Sequence, residues 1–347
     1  MPERAIQNGI KMSDTAGIRI GALGCADILR ESLLELRGFD LPVTLFAIAS
    51  RNIERARAFA GEHAIPRYYG GYDEMLEDPE VELVYNTLPN GMHCEWTIRA
   101  LHAGKHVLCQ KPAAANAEQA ARMAAAVAET GRIFIEAWHY RHHPVARRIE
   151  AIVRSGVLGK LRRVESHFQV PGAWVTAGPD NIRFSYPLAG GAMMDPGCYC
   201  VHLLRWVTGE EPEVLSASAR LHSAQIDSAM EAQLRFPSGV EGRLVASLDY
   251  AGDKLDEWLK LSGDDADLEV IQPCMPHWGE HFIHLRRNGS LQTEQFDRAS
   301  GFVYLFQDVA RVIRDGAPNP ATIDDGIRTM RVIDAIYRAA GMQPRGI

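Results

Sequence analysis

The sequence predicts an α/β protein with a doubly wound parallel sheet in its first half and a large, mostly antiparallel, open-faced sheet in its second. From residue 18 to about 142, short apolar runs alternate with amphipathic helical segments, as in a parallel sheet covered by helices on both faces. Beyond that point strand-like segments dominate, and short turns such as 236–240 join several of them into hairpins.

The alternation in the first half defines each element. Apolar and β-branched runs predict six strands at 18–24, 43–50, 67–69, 81–89, 105–112 and 132–139. Helical spacing predicts the intervening helices at 26–38, 53–63, 71–77, 92–103, 116–130 and 144–155.

The second half is defined in the same way. Strands are predicted at 161–170, 213–221, 229–236, 240–250, 257–263, 266–271, 282–287 and 291–296. Two closing helices are predicted at 301–315 and 322–340. We expect a loose tail at 1–16, a dinucleotide-binding Rossmann domain at 17–142, and a substrate and oligomerisation domain at 143–347.

Length and charge exclude several classes of protein. The 347 residues suit two domains. The net charge of −7, without a dense basic run, argues against a nucleic-acid partner. No apolar stretch reaches the ~18–20 residues of a membrane helix, and the tail, with Met12 as an alternative start, lacks the apolar segment of a secretory signal.

The cysteines and histidines predict neither disulfides nor a metal site. The six cysteines form no paired motif, which favours reduced thiols in a cytoplasmic enzyme. His139, His142 and His143 lie close together without a nearby carboxylate, so no metal is predicted.

The first strand ends in a turn that can hold a pyrophosphate. Gly21 and Gly24 fall where the backbone must turn tightly and approach a ligand, and Leu23, Cys25 and Ala26 complete the turn. The N–H groups at the start of the following helix would face the anion. A merely structural turn is the alternative.

The end of the second strand favours NADP over NAD. NAD-binding domains carry an acidic residue there for the ribose hydroxyls, but this chain has Ser50 and Arg51. A guanidinium can pair with a 2′-phosphate. Arg51 could instead be a solvated residue before the next helix.

Lys111 follows the fifth strand, at the edge where open α/β sheets bind ligands. Pro112 restricts it to an extended conformation. A lysine beside a nicotinamide can orient a substrate hydroxyl and exchange a proton.

Several linked motifs resemble those of the Gfo/Idh/MocA oxidoreductases, in the same order. They are GALGCA, LPNGMHCEW, GKHVLCQKP, EAWHYRHHP, NIRF and GGAMMDPGCYCVHLLRW. The similar branch includes glucose–fructose oxidoreductase, dimeric dihydrodiol dehydrogenase, NADP-dependent xylose dehydrogenase and sugar 3-ketoreductases. The resemblance runs from about residue 17 onward and implies a homodimer or homotetramer.

The resemblance assigns Lys111 to catalysis, with one departure beside it. The family's Glu-Lys-Pro triplet aligns with Gln110, Lys111 and Pro112. Losing that negative charge is expected to let Lys111 titrate lower. The change leaves open whether Gln110 tunes or weakens catalysis.

The motif after Gly191 supplies the second catalytic candidate. If the chain is helical beyond Gly197, Asp195 and Tyr199 share a face. Tyr199 would be the general acid and base with its pKa lowered by Lys111, and Asp195 would bind a substrate hydroxyl. Glycines 190 and 191 would allow close approach to the nicotinamide.

Further positions follow from the resemblance, each with packing as the alternative. Those expected to contact the cofactor are Thr87, Leu88, Asn90, His93, Gln110, Trp138 and Trp174. Those expected to contact substrate are His139, Tyr140, Arg183 and His202.

These expectations describe an NADP-preferring oxidoreductase that acts on a hydroxyl or carbonyl carbon of a sugar, polyol or related compound. Two alternatives remain: an enzyme that recycles a tightly bound cofactor in sugar interconversion or glycoside cleavage, and a dinucleotide-binding sensor with little turnover.

Overall fold

The computed structural model describes residues 17–175, 181–279, 282–296 and 298–346. The predicted tail at 1–16 lies outside these residues. No helix among them is long and apolar enough to cross a bilayer. All six cysteines are buried and unbonded.

The first sheet is parallel, six-stranded and ordered β3-β2-β1-β4-β5-β6. Its strands are β1 Ile18–Leu23, β2 Val43–Ala49, β3 Arg67–Tyr69, β4 Leu83–Asn86, β5 His106–Cys109 and β6 Phe134–Glu136. This order reverses between β1 and β4, and doubly wound sheets bind ligands at the carboxyl ends of the strands on either side of such a reversal. The predicted parallel sheet is confirmed.

Helices α1 Ile53–Glu62, α2 Tyr72–Leu76, α3 His93–His102 and α4 Ala117–Thr130 alternate with these strands, as the apolar spacing predicted. After β6 come α5 His139–His142, a short helix that the sequence did not predict, and α6 Pro144–Arg154, which matches the helix predicted at 144–155. Asn52 and Asn116 cap α1 and α4 by accepting backbone N–H groups.

The segment after β1 differs from the α-helix that its spacing predicted. Its apolar side chains Leu29, Leu33 and Leu36 are buried as expected, but the regular part is a five-residue π-helix, Arg30–Leu34. The hydrophobic pattern thus identified the buried face but not the hydrogen-bonding register.

The second sheet has eight strands in the order β14-β13-β12-β11-β7-β10-β9-β8. Among the described residues of this sheet, only the β7–β10 pair is parallel, so the mostly antiparallel prediction is confirmed. The strands are β7 Leu161–Pro171, β8 Glu213–Ser223, β9 Ile226–Arg235, β10 Glu241–Tyr250, β11 Asp256–Gly263, β12 Asp267–Ile271, β13 Phe282–Arg287 and β14 Ser290–Gln295.

Three helices complete the described chain: α7 Pro196–Thr208, α8 Gly301–Asp315 and α9 Ile323–Ala339. α7 packs on β7 and β10, whereas α9 packs on both α4 and β8. The helix nearest the end of the sequence therefore bridges the two sheets.

The uncovered face of the second sheet carries both aromatic and charged side chains. Trp258 stacks on His167 with ring centroids 3.8 Å apart, and ion pairs join Arg243 to Glu231 at 2.8 Å and Lys260 to Glu269 at 3.0 Å.

Candidate functional site

The turn after β1 lies at the reversal of strand order. Gly24 has a φ of +89°, a left-handed conformation that favours glycine. A Cβ on Gly24 would lie 3.2 Å from a methyl carbon of Leu88, so the loops after β1 and β4 touch. Thr87 fixes their spacing by donating its hydroxyl to the Leu23 carbonyl at 2.7 Å.

Gly21 has a different role from the one predicted. It lies inside β1 rather than in the turn. A Cβ there would lie 2.9 Å from both the Met75 sulfur and a Val81 methyl, so packing against those side chains requires glycine. The turn itself consists of Gly24, the buried Cys25 and the half-buried Ala26.

The chain after β2 presents a cation beside this turn. Ser50 is buried and accepts the Asn52 N–H at 3.3 Å, whereas Arg51 is exposed. Arg55, one helical turn later, donates to the Cys25 carbonyl at 3.0 Å. Arg55 was not among the predicted site residues, although it lies four residues after Arg51 in the sequence.

The loop after β4 is tied to two other segments. Asn90 donates to the Ala189 carbonyl at 3.1 Å. The buried His93 ring has its two nitrogens 2.9 and 2.7 Å from the carbonyl oxygens of Pro112 and Leu88. His93 therefore holds the loop after β4 against the cis Lys111–Pro112 peptide and does not itself face the crevice.

Lys111 and Asp195 meet across the two halves of the chain. The Lys111 ammonium donates to Asp195 Oδ1 at 2.7 Å and to the Asp195 carbonyl at 3.1 Å. Arg183 donates to Asp195 Oδ2 at 2.6 Å. Burial alone would raise the pKa of the Asp195 carboxyl, but these two cations hold it well below its usual range.

The pKa of Lys111 is raised, contrary to the expectation based on Gln110. Burial favours the neutral amine, but the carboxylate of Asp195 outweighs it. Gln110 is buried, and its amide donates to the Tyr85 hydroxyl. Asp195 thus supplies the negative charge that the residue before Lys111 lacks.

Tyr199 lies on α7, one turn after Asp195, as the spacing predicted. The Lys111 ammonium is 4.7 Å from the centre of the Tyr199 ring, and the Tyr199 hydroxyl lies 3.1 Å from His139 Nε2. The expected lowering of the Tyr199 pKa is wrong for this structure: burial raises the pKa of Tyr199 well above its usual value, and Cys198 adds to the rise.

Three other candidates form a buried layer behind Tyr199. Tyr140 contacts His202 Nδ1 through its hydroxyl, and His202 Nε2 lies 3.0 Å from Asp325 Oδ2. Trp138 stacks on His202 with centroids 4.2 Å apart. Since Trp138, Tyr140 and His202 expose 2% or less, the structure places them around Tyr199 and away from the crevice surface.

Trp174 stands apart from these contacts. It ends a short turn, Gly172–Trp174, after β7 and is 51% exposed. Within the described part of the chain, no hydrogen bond, ion pair or ring contact joins Trp174 to the cluster of Lys111, Asp195 and Tyr199. No group of metal-ligating side chains occurs among the described residues.

Glu136, at the end of β6, is a buried acid that the sequence analysis missed. Its Oε1 accepts the Ala113 N–H at 2.7 Å, while Oε2 has no partner among the described residues. Burial, reinforced by Asp325, raises the pKa of Glu136 to about 8. The protonated form is therefore the one the fold favours.

Glu136→Gln is expected to change how stability depends on pH. A raised carboxyl pKa contributes stability that is complete below about pH 4.5 and lost as pH rises through about 8. The neutral amide avoids this loss, so the free energy of unfolding of the variant, relative to wild type, should rise by about 4 kcal/mol between pH 5 and pH 9, and its melting temperature should rise with it.

Thermal unfolding at several pH values measures this difference. The control is Glu241→Gln at an exposed position on β10, for which the difference from wild type should stay constant with pH. A constant difference for Glu136→Gln as well would show that Glu136 is ionised in the folded protein.

Comparisons with known proteins agree with this architecture. Residues 18–137 match the family model described as "Oxidoreductase family, NAD-binding Rossmann fold", and residues 146–269 match "GFO/IDH/MocA C-terminal domain". D-xylose 1-dehydrogenase (NADP(+)) 2 of Haloferax volcanii is 33% identical over 299 residues, which cover 85% of this chain and 89% of the relative.

Solved structures are similar over nearly the whole chain. The 3-ketoreductase KijD10 from Actinomadura kijaniata, in complex with NADP and TDP-benzene, has 27% identity and a TM-score of 0.83, covering 93% of this chain and 98% of that one. Aldose-aldose oxidoreductase from Caulobacter crescentus, complexed with glycerol, has 26% identity and a TM-score of 0.84, covering 94% and 98%.

Proposed function

Because this chain belongs to the Gfo/Idh/MocA family of nicotinamide-dependent oxidoreductases, we propose that it oxidises or reduces a carbon of a sugar or polyol with NADP. The observation that carries the proposal is the cluster of Lys111, Asp195 and Tyr199 beside the reversal point of the Rossmann sheet. Similarity to a xylose dehydrogenase and a sugar ketoreductase supports the substrate class.

The residues after β1 and β2 fit a dinucleotide. The left-handed Gly24 turn offers backbone N–H groups to the pyrophosphate, and Thr87 and Leu88 border the same crevice. The bound nicotinamide supplies or accepts a hydride. The chain itself contributes binding, orientation and proton transfer.

The catalytic cluster divides these tasks. Asp195, held as a carboxylate, accepts a hydrogen bond from a substrate hydroxyl. The Lys111 ammonium donates a hydrogen bond to the reacting oxygen. Tyr199 transfers the proton at that oxygen, and His139 orients its hydroxyl from the far side. Arg183 fixes the second oxygen of Asp195.

The choice of NADP rests on Arg51. Replacing it by Asp puts a carboxylate where NAD-binding domains carry one and removes the partner of a 2′-phosphate. One charge-assisted hydrogen bond is worth about 1.5–3 kcal/mol, so the ratio of kcat/KM for NADP to that for NAD should fall about 10–100-fold.

Steady-state kinetics with both cofactors measures that ratio. Arg57→Asp is the matched control, since Arg57 lies on α1, the helix that follows Arg51, is exposed and contacts Glu54. An unchanged ratio in Arg51→Asp would remove the argument for NADP.

The division of the chain and its assembly extend the proposal. Residues 17–142 would hold the nucleotide, and 143–347 would shape the substrate site and form a homodimer or homotetramer through the uncovered face of the second sheet. The aromatic stack and the arginine on that face suit a protein interface. Six unbonded cysteines suit a cytoplasmic enzyme.

A panel of sugars, polyols and nucleotide sugars, incubated with the protein and NADP or NADPH, tests the function. Net change in NADPH absorbance supports the dehydrogenase. Formation of product without a net change in NADPH supports cofactor recycling. The similarity to an aldose-aldose oxidoreductase favours this alternative. Cofactor binding without any product supports a sensor and contradicts the proposal.

A further inference from the structure

Arg345 is a buried cation that neither the sequence motifs nor the proposed chemistry uses. Its side chain is completely buried. It donates to Asp227 Oδ1 at 2.6 Å and to the Gly190 carbonyl at 2.7 Å. The Tyr337 ring lies 4.0 Å below the guanidinium carbon.

The same residue also holds the nucleotide-binding half of the chain. The Asn116 side-chain amide donates to the backbone carbonyl of Arg345 at 2.7 Å. Asn116 lies five residues after Lys111, and Gly190 lies five residues before Asp195. Arg345 therefore spans the two segments whose side chains meet in the Lys111–Asp195 ion pair.

Asp227 and the two glycines complete this arrangement. Asp227 Oδ2 accepts the Met193 N–H at 2.6 Å, and its carbonyl accepts the Ala192 N–H at 2.9 Å. Gly191 has a φ of +128°, and a Cβ on it would overlap Asp227 Oδ1. The close approach of the Arg345–Asp227 pair thus requires glycine at 191.

Gly190 is required for a neighbouring reason. A Cβ there would lie 2.5 Å from the Arg183 carbonyl oxygen. Both glycines were expected to admit the nicotinamide. The structure shows that they admit protein atoms, which seat the segment leading to Asp195.

We propose that Arg345 is a positioning residue that ties the segment after Lys111 to the segment before Asp195 and so sets the geometry of their ion pair. A fork-shaped guanidinium suits this task because it donates in several directions from a fixed plane. An ammonium at the same place cannot reproduce both contacts.

Two variants loosen the tie from opposite sides. Arg345→Lys keeps the positive charge beside Asp227 but loses the fork. Asn116→Asp keeps the cap of α4, where Oδ1 accepts the Gln119 N–H at 2.9 Å, but loses the donor to Arg345. The matched control is Tyr337→Phe, which removes a hydrogen bond to Asp227 and leaves the tie intact.

The first measurement needs no turnover and so is independent of the proposed function. The Lys111 amine is labelled with an acylating reagent across a range of pH, and its peptide is quantified by mass spectrometry. A weakened ion pair releases the amine, so Lys111 should label about threefold faster in both variants than in wild type or Tyr337→Phe.

The second measurement, which rests on the proposed function, compares the change in kcat with the change in the Kd for NADP. Misplacement of the pair should lower kcat about 10–100-fold and leave the Kd for NADP within about twofold of wild type. Tyr337→Phe should have a lower melting temperature than wild type and the same kcat.

Unchanged Lys111 labelling in a folded Asn116→Asp or Arg345→Lys protein would overturn the proposal, leaving Arg345 as a stabilising residue only. If Arg345→Lys does not fold, Asn116→Asp decides, since it preserves the buried ion pair with Asp227. Changed labelling without any sugar turnover in wild type would support the tie and contradict the proposed function.

Discussion

Lys111→Ala is expected to reduce kcat about 10²–10⁴-fold, the usual contribution of a positioned proton-transferring group. Lys111 donates to both the side chain and the backbone carbonyl of Asp195 and lies over Tyr199. Its loss removes the donor to the reacting oxygen and leaves Asp195 with Arg183 alone. The pKa of Asp195 should therefore rise toward its ordinary value.

Cofactor affinity should change far less, because the Gly24 turn and Arg51 are untouched. Steady-state kinetics and NADPH fluorescence titration separate the two effects. Lys160→Ala, at an exposed position before β7, is the control and should behave as wild type. A loss in kcat below about tenfold would show that Lys111 only anchors the fold.

Tyr199→Phe is expected to lower kcat by a similar factor of about 10²–10⁴. The ring and its packing remain, and only the hydroxyl 3.1 Å from His139 Nε2 is lost. The Kd for NADP should therefore stay close to that of wild type, and the lost hydrogen bond should cost about 1 kcal/mol of stability, as in the control variant below. The change isolates proton transfer at the reacting oxygen.

Tyr140→Phe is the matched control, because it deletes a neighbouring buried hydroxyl that contacts His202. That variant should lose about 1 kcal/mol of stability and retain most of its turnover. If Tyr140→Phe lost as much turnover as Tyr199→Phe, the assignment of Tyr199 would fail, since any buried hydroxyl in this layer would then suffice.

Periodicity and turn chemistry predicted the architecture well. Continuously apolar runs identified the parallel strands buried on both faces, and helical spacing identified the helices that became α1 and α4. The π-helix after β1 escaped prediction because α- and π-helices bury the same kind of apolar stripe. They differ by one residue in the register of the backbone hydrogen bonds, and the five residues Arg30–Leu34 are too few for side-chain spacing to distinguish the two.

The site was predicted in part. Lys111, Asp195 and Tyr199 do lie together, as their motifs and strand-end positions indicated. The expectation for the Lys111 pKa was wrong because it considered the adjacent Gln110, whereas Asp195 reaches Lys111 from 84 residues away. The expectation for the Tyr199 pKa was wrong because it left out the burial of the phenol. Arg345 and Glu136 carry no local signal, since their partners come from distant segments.

The packing of α9 on α4 has a consequence for recombination between relatives. Besides that contact, Asp334 of α9 accepts the Ala117 N–H at 3.1 Å, and Asn319, just before α9, donates to the Phe134 carbonyl at 2.7 Å. A chimera joined only at residue 142 would bring a foreign α9 against the native α4. The unit that can be exchanged between relatives is therefore discontinuous in sequence. It consists of the nucleotide-binding half together with residues 319–346.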